Sequence, residues 1–182
     1  AYLVGCDGGS SGVRKQMGAK LEGTAVIQRV QSTYIRAPAL KGLIPTERAW
    51  SCYSVNPRRC GTTFAIDGET TWLVHNHLNA NEPEFDSVDR DRSIREILGV
   101  GADFRYDVIS KEDWVGRRLV ANRFRNRRVF IAGDAAHLWV PYAGYGMNAG
   151  IADAVHLAWL LAATFHGWAD EGLVGFAPPP DK

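Results

Sequence analysis

The residues with the most chemistry to offer lie in one stretch, Arg128–Gly150, which reads RVFIAGDAAHLWVPYAGYGMNAG. Its apolar start predicts a buried strand over Arg128–Ala132, closed by Gly133-Asp134. That order puts the Asp134 carboxylate at the carboxyl end of a sheet, where α/β folds bind ligands. There it can accept hydrogen bonds from sugar hydroxyls. Ala135 and Ala136 keep the next side chains short, so something bulky can lie against the backbone. Gly-Asp by itself is more often a plain turn, with the acid capping a helix. The residues after it reverse that preference.

Those residues are Pro141, Gly144, Gly146, Met147, Asn148 and Gly150. Two glycines flank Tyr145 and lead into a helix predicted over Gly150–His166. Free backbone N–H groups at that helix start, with its dipole, favour negative charge. A reduced flavin gains negative charge near its N1–C2=O edge. A helix N-terminus aimed there would stabilise it without a cationic side chain.

Near the other end, Cys6-Asp7-Gly8-Gly9-Ser10-Ser11-Gly12-Val13-Arg14 sets an acid and a base across a Gly-rich turn. Asp7 and Arg14 could reach a dinucleotide or brace the sheet edge. A local ion pair, worth little if exposed, explains them equally well. Arginines 117, 118, 123, 125, 127 and 128 could meet the phosphates of a pyridine nucleotide, but a solvated face is the better reading. His75 and His77 stand at strand spacing, with no Cys or carboxylate set to make a metal site. His137 and His156 read as ordinary loop and helix residues. Trp139, Tyr142 and Tyr145 could wall a pocket for a flat ring, or equally pack in a core.

The elements that must position these groups follow from the pattern. Tyr2–Gly5 is a buried strand that ends in the Gly-rich turn, and Val13–Gly18 is a helical turn or two. Thr24–Arg36, Trp50–Asn56, Thr62–Ile66 and Thr70–Leu78 are strands, with Asp67-Gly68 as a hairpin turn between the last two. Asp89–Leu98 is a short amphipathic helix ended by Gly99. Phe104–Ser110 and Arg117–Ala121 are further strands. Strand-turn elements at the two ends thus bracket an antiparallel sheet, as when a sheet domain is inserted into an α/β domain.

Composition narrows the class. Hydrophobic residues make up 46% of the 182 and charged residues 23%, the balance of a globular protein. A formal net charge of +1 argues against nucleic acid or an anionic membrane as the main partner. The most apolar helix is too short and too polar to span a bilayer. Three cysteines without a framework favour a reducing, cytoplasmic interior and buried thiols. The chain opens on AYLVGCDGG, already strand-like, and ends on GFAPPPDK, expected to be flexible. Both ends look like cuts.

Two motifs then carry a resemblance. YLVGCDGGSSGVR resembles the Asp-Gly motif, GCDGxxSxVR, of the group A flavoprotein aromatic hydroxylases, the class of p-hydroxybenzoate and phenol hydroxylases. RVFIAGDAAHLWVPYAGYGMNAGIADAVHLAWLLA resembles their Gly-Asp motif with its flavin-contacting helix. The chain looks closest to the phenol, phenylpropionate and polyketide ring hydroxylases. The resemblance implies an α/β (α+β) fold: part of a Rossmann-like FAD-binding domain with an inserted antiparallel β-sheet substrate domain. The corresponding boundaries are 1–22 and 120–168 for the FAD part, 23–119 for the substrate part and 169–182 for a flexible end.

The resemblance also implies roles. Gly133-Asp134 would hold the FAD ribose, and Pro141 would lie beside the isoalloxazine, although the family often has Pro-Pro where this chain has Val140-Pro141. The backbone of Gly144, Gly146, Met147 and Asn148 would face the pyrimidine edge of the flavin. Asp7 and Arg14 match a motif associated with FAD and NAD(P)H use, and Asp153 matches a helix acid without an assigned role. The implied activity is NAD(P)H-dependent hydroxylation of a small phenolic or polyketide-like aromatic. Reduced FAD reacts with molecular oxygen to a C4a-hydroperoxide that the ring attacks. No catalytic side chain is assigned. Strand faces within Thr24–Arg36 and Trp72–Leu78 are the expected substrate walls.

Two family features are missing: a GxGxxG unit, and an acid-arginine-arginine segment after the long helix, where Leu173–Lys182 reads LVGFAPPPDK. The chain is therefore expected to need an N-terminal part of the same protein and to be inactive alone. A homodimer is left open. The rival readings are a reductase or halogenase of the same fold, and a non-catalytic scaffold remnant. The intact AGDAAH…GYGMNAG run argues against the last.

Overall fold

The computed structural model describes residues 1–43, 49–170 and 172. Most of the end expected to be flexible, residues 171 and 173–182, lies outside the described residues. In chain order the elements are β1 (Leu3–Gly5), α1 (Gly12–Gln16), β2 (Leu21–Arg36), β3 (Ser51–Ser54), β4 (Gly61–Ala65), β5 (Thr71–His77), α2 (Arg90–Leu98), β6 (Asp107–Lys111), β7 (Trp114–Ala121), β8 (Arg125–Asn126), β9 (Val129–Ile131), β10 (His137–Leu138) and α3 (Tyr145–Phe165). They form two compact units, one of Ala1–Ile27 with Gly116–Lys182 and one of Gln28–Val115.

In the first unit β1 runs parallel to β9, with Leu3 opposite Val129 and Gly5 opposite Ile131. β8 adds an antiparallel edge. The parallel pair joins the two ends of the chain, so both predicted motifs leave one sheet from the same ends of their strands. Met17, Ala19, Ala121, Ile131, Ala135 and Ala136 form one buried cluster. Phe130 and Leu160 form a second, with Tyr2, Leu157 and Leu161 around it, and it docks α3 on the sheet. β10 pairs with β7 through His137 opposite Val120. Strands of two residues, such as β8 and β10, are too short to leave a periodic signal.

In the second unit the antiparallel order is β6-β2-β5-β4-β3. β5 alternates strictly: Trp72, Val74 and Asn76 are buried, while Leu73, His75 and His77 take the other, half-buried face. Period-two alternation is what a strand between two different surroundings requires. The buried face packs under α2, where Ile35, Trp72, Val74, Ile94 and Ile97 form the core. Asp89 caps α2 by accepting from the Arg92 N–H at 3.0 Å. The predicted hairpin turn is closed by Asp67, whose carboxylate accepts the N–H groups of Glu69, Thr70 and Thr71. The Thr71 N–H first, then the others, hold that carboxyl well below the usual range.

Four expectations need correcting. The strand expected to be buried over Tyr2–Gly5 exposes Leu3 and Val4, because β1 is the edge of its sheet among the described residues. The long helix starts at Tyr145, five residues before the predicted Gly150. Gly and Asn are poor helix formers, but a first turn needs little propensity because its N–H groups have no partner inside the helix. Cys6 and Cys60 are exposed rather than buried, and Cys52 is half-buried. Cys6 and Cys60 sit in turns beside strand ends, where the chain is at the surface. The strand expected over Phe104–Ser110 lies at Asp107–Lys111.

Candidate functional site

Both Gly-rich turns of the first unit lie at the carboxyl ends of the parallel pair, because Gly5 and Ile131 are register partners. The Ala132 N–H donates to the Gly5 carbonyl at 3.1 Å, which ties the second turn to the first strand. Gly133 has φ of 58°, a left-handed backbone that glycine adopts without cost. This bend turns Asp134 out to solvent, where it is exposed.

The polar groups around Asp134 are already engaged. Asp7 accepts from the Ser11 hydroxyl and from the N–H groups of Gly12, at 2.7 Å, and Val13, at 3.1 Å. It therefore closes the start of α1, and the Ser11 hydroxyl, with the Val13 and Gly12 N–H groups, holds its carboxyl below the usual range. Arg14 does not pair with Asp7. Its buried guanidinium donates to the Ala135 carbonyl at 2.9 Å and the Gly9 carbonyl at 2.7 Å. Arg14 thus ties one Gly-rich turn to the other rather than forming the local ion pair with Asp7.

Asp153, on α3, accepts the Gly133 N–H at 2.8 Å and lies 2.7 Å from His137 Nε2. The resemblance matched Asp153 to a helix acid without assigning it a role, and His137 read as an ordinary loop residue. The one available signal was an acid in the middle of an otherwise apolar helix. The Asp134 carboxylate differs from all of these groups: among the described residues it has no hydrogen bond or ion pair. It is the one acid of the turn left to accept from a ligand.

The start of α3 is open. Gly144 precedes it with φ of 67°, again left-handed, and no side chain caps the helix. A Cβ built on Gly144 or Gly146 would meet nothing within 4 Å. The space beside Gly144 and Gly146 is thus open, no side chain caps the first turn, and Met147 and Asn148 belong to that turn. Asn148 reaches back to the Gly144 carbonyl at 3.3 Å. Pro141 is exposed in a short 3-10 turn just before. Trp139, Tyr142 and Tyr145 are each at least half exposed, which removes the core-packing reading of these rings.

The remaining candidates fall outside this group. The arginines at 117, 118, 123, 127 and 128 are exposed and that at 125 is half-buried, as on a solvated face. Arg125 and Arg128 lie over the rings of Phe130 and Tyr2. In the second unit, His75 meets the rings of Phe64, Trp114 and His77 at 5.1, 5.7 and 6.5 Å. Burial, helped by neighbouring His77, pulls His75 down to about 4, so it is neutral at pH 7. No group of three His, Cys, Asp or Glu residues that could hold a metal occurs among the described residues. No helix among them is long and apolar enough to cross a membrane.

Residues 1–175 match the FAD binding domain family. The chain belongs to that family. The chain is 33% identical over 184 residues to the FAD-dependent monooxygenase opdD of Penicillium oxalicum, covering 95% of this chain and 35% of that protein. It is 32% identical over 180 residues to the 3-(3-hydroxy-phenyl)propionate/3-hydroxycinnamic acid hydroxylase of Mycolicibacterium smegmatis, covering 95% and 30%. Its fold matches the ternary complex of aklavinone-11 hydroxylase with FAD and aklavinone at a TM-score of 0.77 and 28% identity, over 94% of this chain and 32% of that one. The mixed α/β fold with an antiparallel sheet is thus that of FAD-dependent monooxygenases. The chain spans about a third of the length of these relatives.

The residues of the FAD binding domain fit a flavin nucleotide. A carboxylate without an internal partner can take a ribose hydroxyl. An uncapped helix start with free space before it can take an electron-rich ring edge.

Proposed function

We propose that this chain is the flavin-cradling and substrate-walling part of an FAD-dependent, NAD(P)H-using hydroxylase of phenolic or polyketide-type aromatics. The observation that carries this is the Asp134 carboxylate, which makes no hydrogen bond or ion pair among the described residues while Asp7, Arg14 and Asp153 are all engaged. Asp134 accepts from the FAD ribose. The first turn of α3 faces the pyrimidine edge, and Pro141 lies beside the ring. Asp7 and Arg14 act behind them, as the braces of the turn. Bound FAD, reduced by NAD(P)H, supplies the activation of molecular oxygen.

Within the second unit, Leu73, His75 and His77 on β5 wall the substrate ring. His75 offers a neutral imidazole among aromatic rings, suited to a phenolic hydroxyl. Ile151, Val155 and Trp159, four residues apart on α3, are exposed by 54%, 67% and 59%. We assign this stripe to contact with the rest of the FAD-binding domain in the longer protein, which the chain's coverage of its relatives also favours.

The test is turnover by the full-length protein loaded with FAD. Phenols and polyketide aromatics are screened for stimulated NAD(P)H consumption with a hydroxylated product. Coupled product from at least one of them is expected. Bound FAD with no coupled product from any of them sinks the hydroxylase assignment.

A further inference from the structure

His137 and Trp139 have no part in the function above, yet they are joined to its site. The His137 ring is only 8% exposed. Its Nδ1 accepts the Trp139 indole N–H at 2.7 Å. An indole N–H only donates, so Nδ1 carries a lone pair and the proton of the neutral ring sits on Nε2. Nε2 then donates to Asp153, whose same oxygen accepts the Gly133 N–H. The chain of bonds runs from the Gly133 turn, through α3 and a buried imidazole, to the indole of Trp139.

The outer end of this chain is informative. A network that served packing alone would end inside. This one ends on a ring that is 50% exposed, two residues before Pro141. Fixing a surface indole does nothing for the core, and holding a large ring still is costly unless something uses it. We propose that His137 and Asp153 are positioning residues that hold the Trp139 indole as a flat wall of the flavin-nucleotide site, in fixed register with Gly133-Asp134.

This rests on the FAD assignment, so the experiment separates the two. The full-length protein and its Trp139→Phe and His137→Phe variants are titrated with FAD by flavin fluorescence. Trp139→Phe keeps a smaller ring and removes the tether, whereas His137→Phe keeps the whole indole and removes the atom that holds it, so a loss of affinity in both is expected. One neutral hydrogen bond corresponds to roughly a five- to tenfold change in Kd, and a loss of that size is expected. The thermal midpoint of FAD-free Trp139→Phe should fall only slightly, by the loss of the one donor to His137 Nδ1. In the FAD-free protein, His137→Phe should move the Trp139 indole N–H resonance. A wild type that binds FAD and a Trp139→Phe variant that binds it equally tightly overturn the proposal alone. So does an indole resonance that stays in place. A full-length wild type that binds no FAD removes the FAD assignment and this proposal together.

Discussion

Arg14 donates to the backbone carbonyl of Ala135 across 121 residues of sequence. The same guanidinium holds the Gly9 carbonyl, so one buried side chain fastens the first Gly-rich turn to the second. Arg14→Ala leaves two acceptors without a partner. At about 1–3 kcal/mol for each acceptor, the first unit should lose roughly 2–6 kcal/mol by chemical denaturation. Arg14→Lys should recover part of this, since an ammonium cannot span both carbonyls with the planar fork. Equal stability in all three proteins would mean that the brace contributes nothing.

Asp134→Ala should separate binding from folding. The carboxylate is exposed and unbonded, so stability without FAD should stay within about 0.5 kcal/mol. FAD affinity should fall roughly 10- to 100-fold, the range of a lost charge-assisted hydrogen bond. Isothermal titration of the full-length protein reads both the affinity and the stoichiometry. An unchanged Kd takes Asp134 out of the site.

Much of this site was legible, and the reason is local. Gly133-Asp134 and the glycines around Tyr145 encode backbone shape, and shape of that kind is written in adjacent residues. Likewise the strand around β5 was legible, with His75 and His77 at strand spacing, and Asp67-Gly68 marked its hairpin. His137 and Asp153 were not legible, because their roles exist only once α3 lies against the turn. Arg14 is the intermediate case. Its motif was visible, but whether it met Asp7, a ligand or a distant carbonyl depended on the β1–β9 pairing. The start of α3 was misplaced because Gly144, Gly146 and Asn148 speak for a loop, whereas a first helical turn asks little of propensity.

The core of the second unit offers a control that leaves the flavin site alone. Ile94 is 1% exposed and packs with Ile35, Trp72 and Val74. Ile94→Ala should cost about 2–5 kcal/mol, from lost burial and the cavity left behind. Asp89→Ala, at the start of the same helix, should cost about 1 kcal/mol. FAD affinity should be unchanged in both, because both residues belong to the second unit. Weakened FAD binding in a folded Ile94→Ala protein would show that the two units are coupled.

His75 predicts a pH dependence with a definite sign. Its folded pKa is pulled from 6.5 to about 4, by burial first and by His77 second. His77 is shifted in the same direction by burial. Between those values the unfolded chain binds more protons than the folded one, so stability rises with pH across the window. The contribution is complete above about 6.5 and is lost as pH falls toward 4. Urea midpoints measured from pH 7.5 down to 4 should therefore decline. His75→Phe, which keeps a ring against Phe64 and Trp114, should flatten that decline and leave the value at pH 7.5 little changed. A slope as steep in the variant as in the wild type would place the titrating group elsewhere.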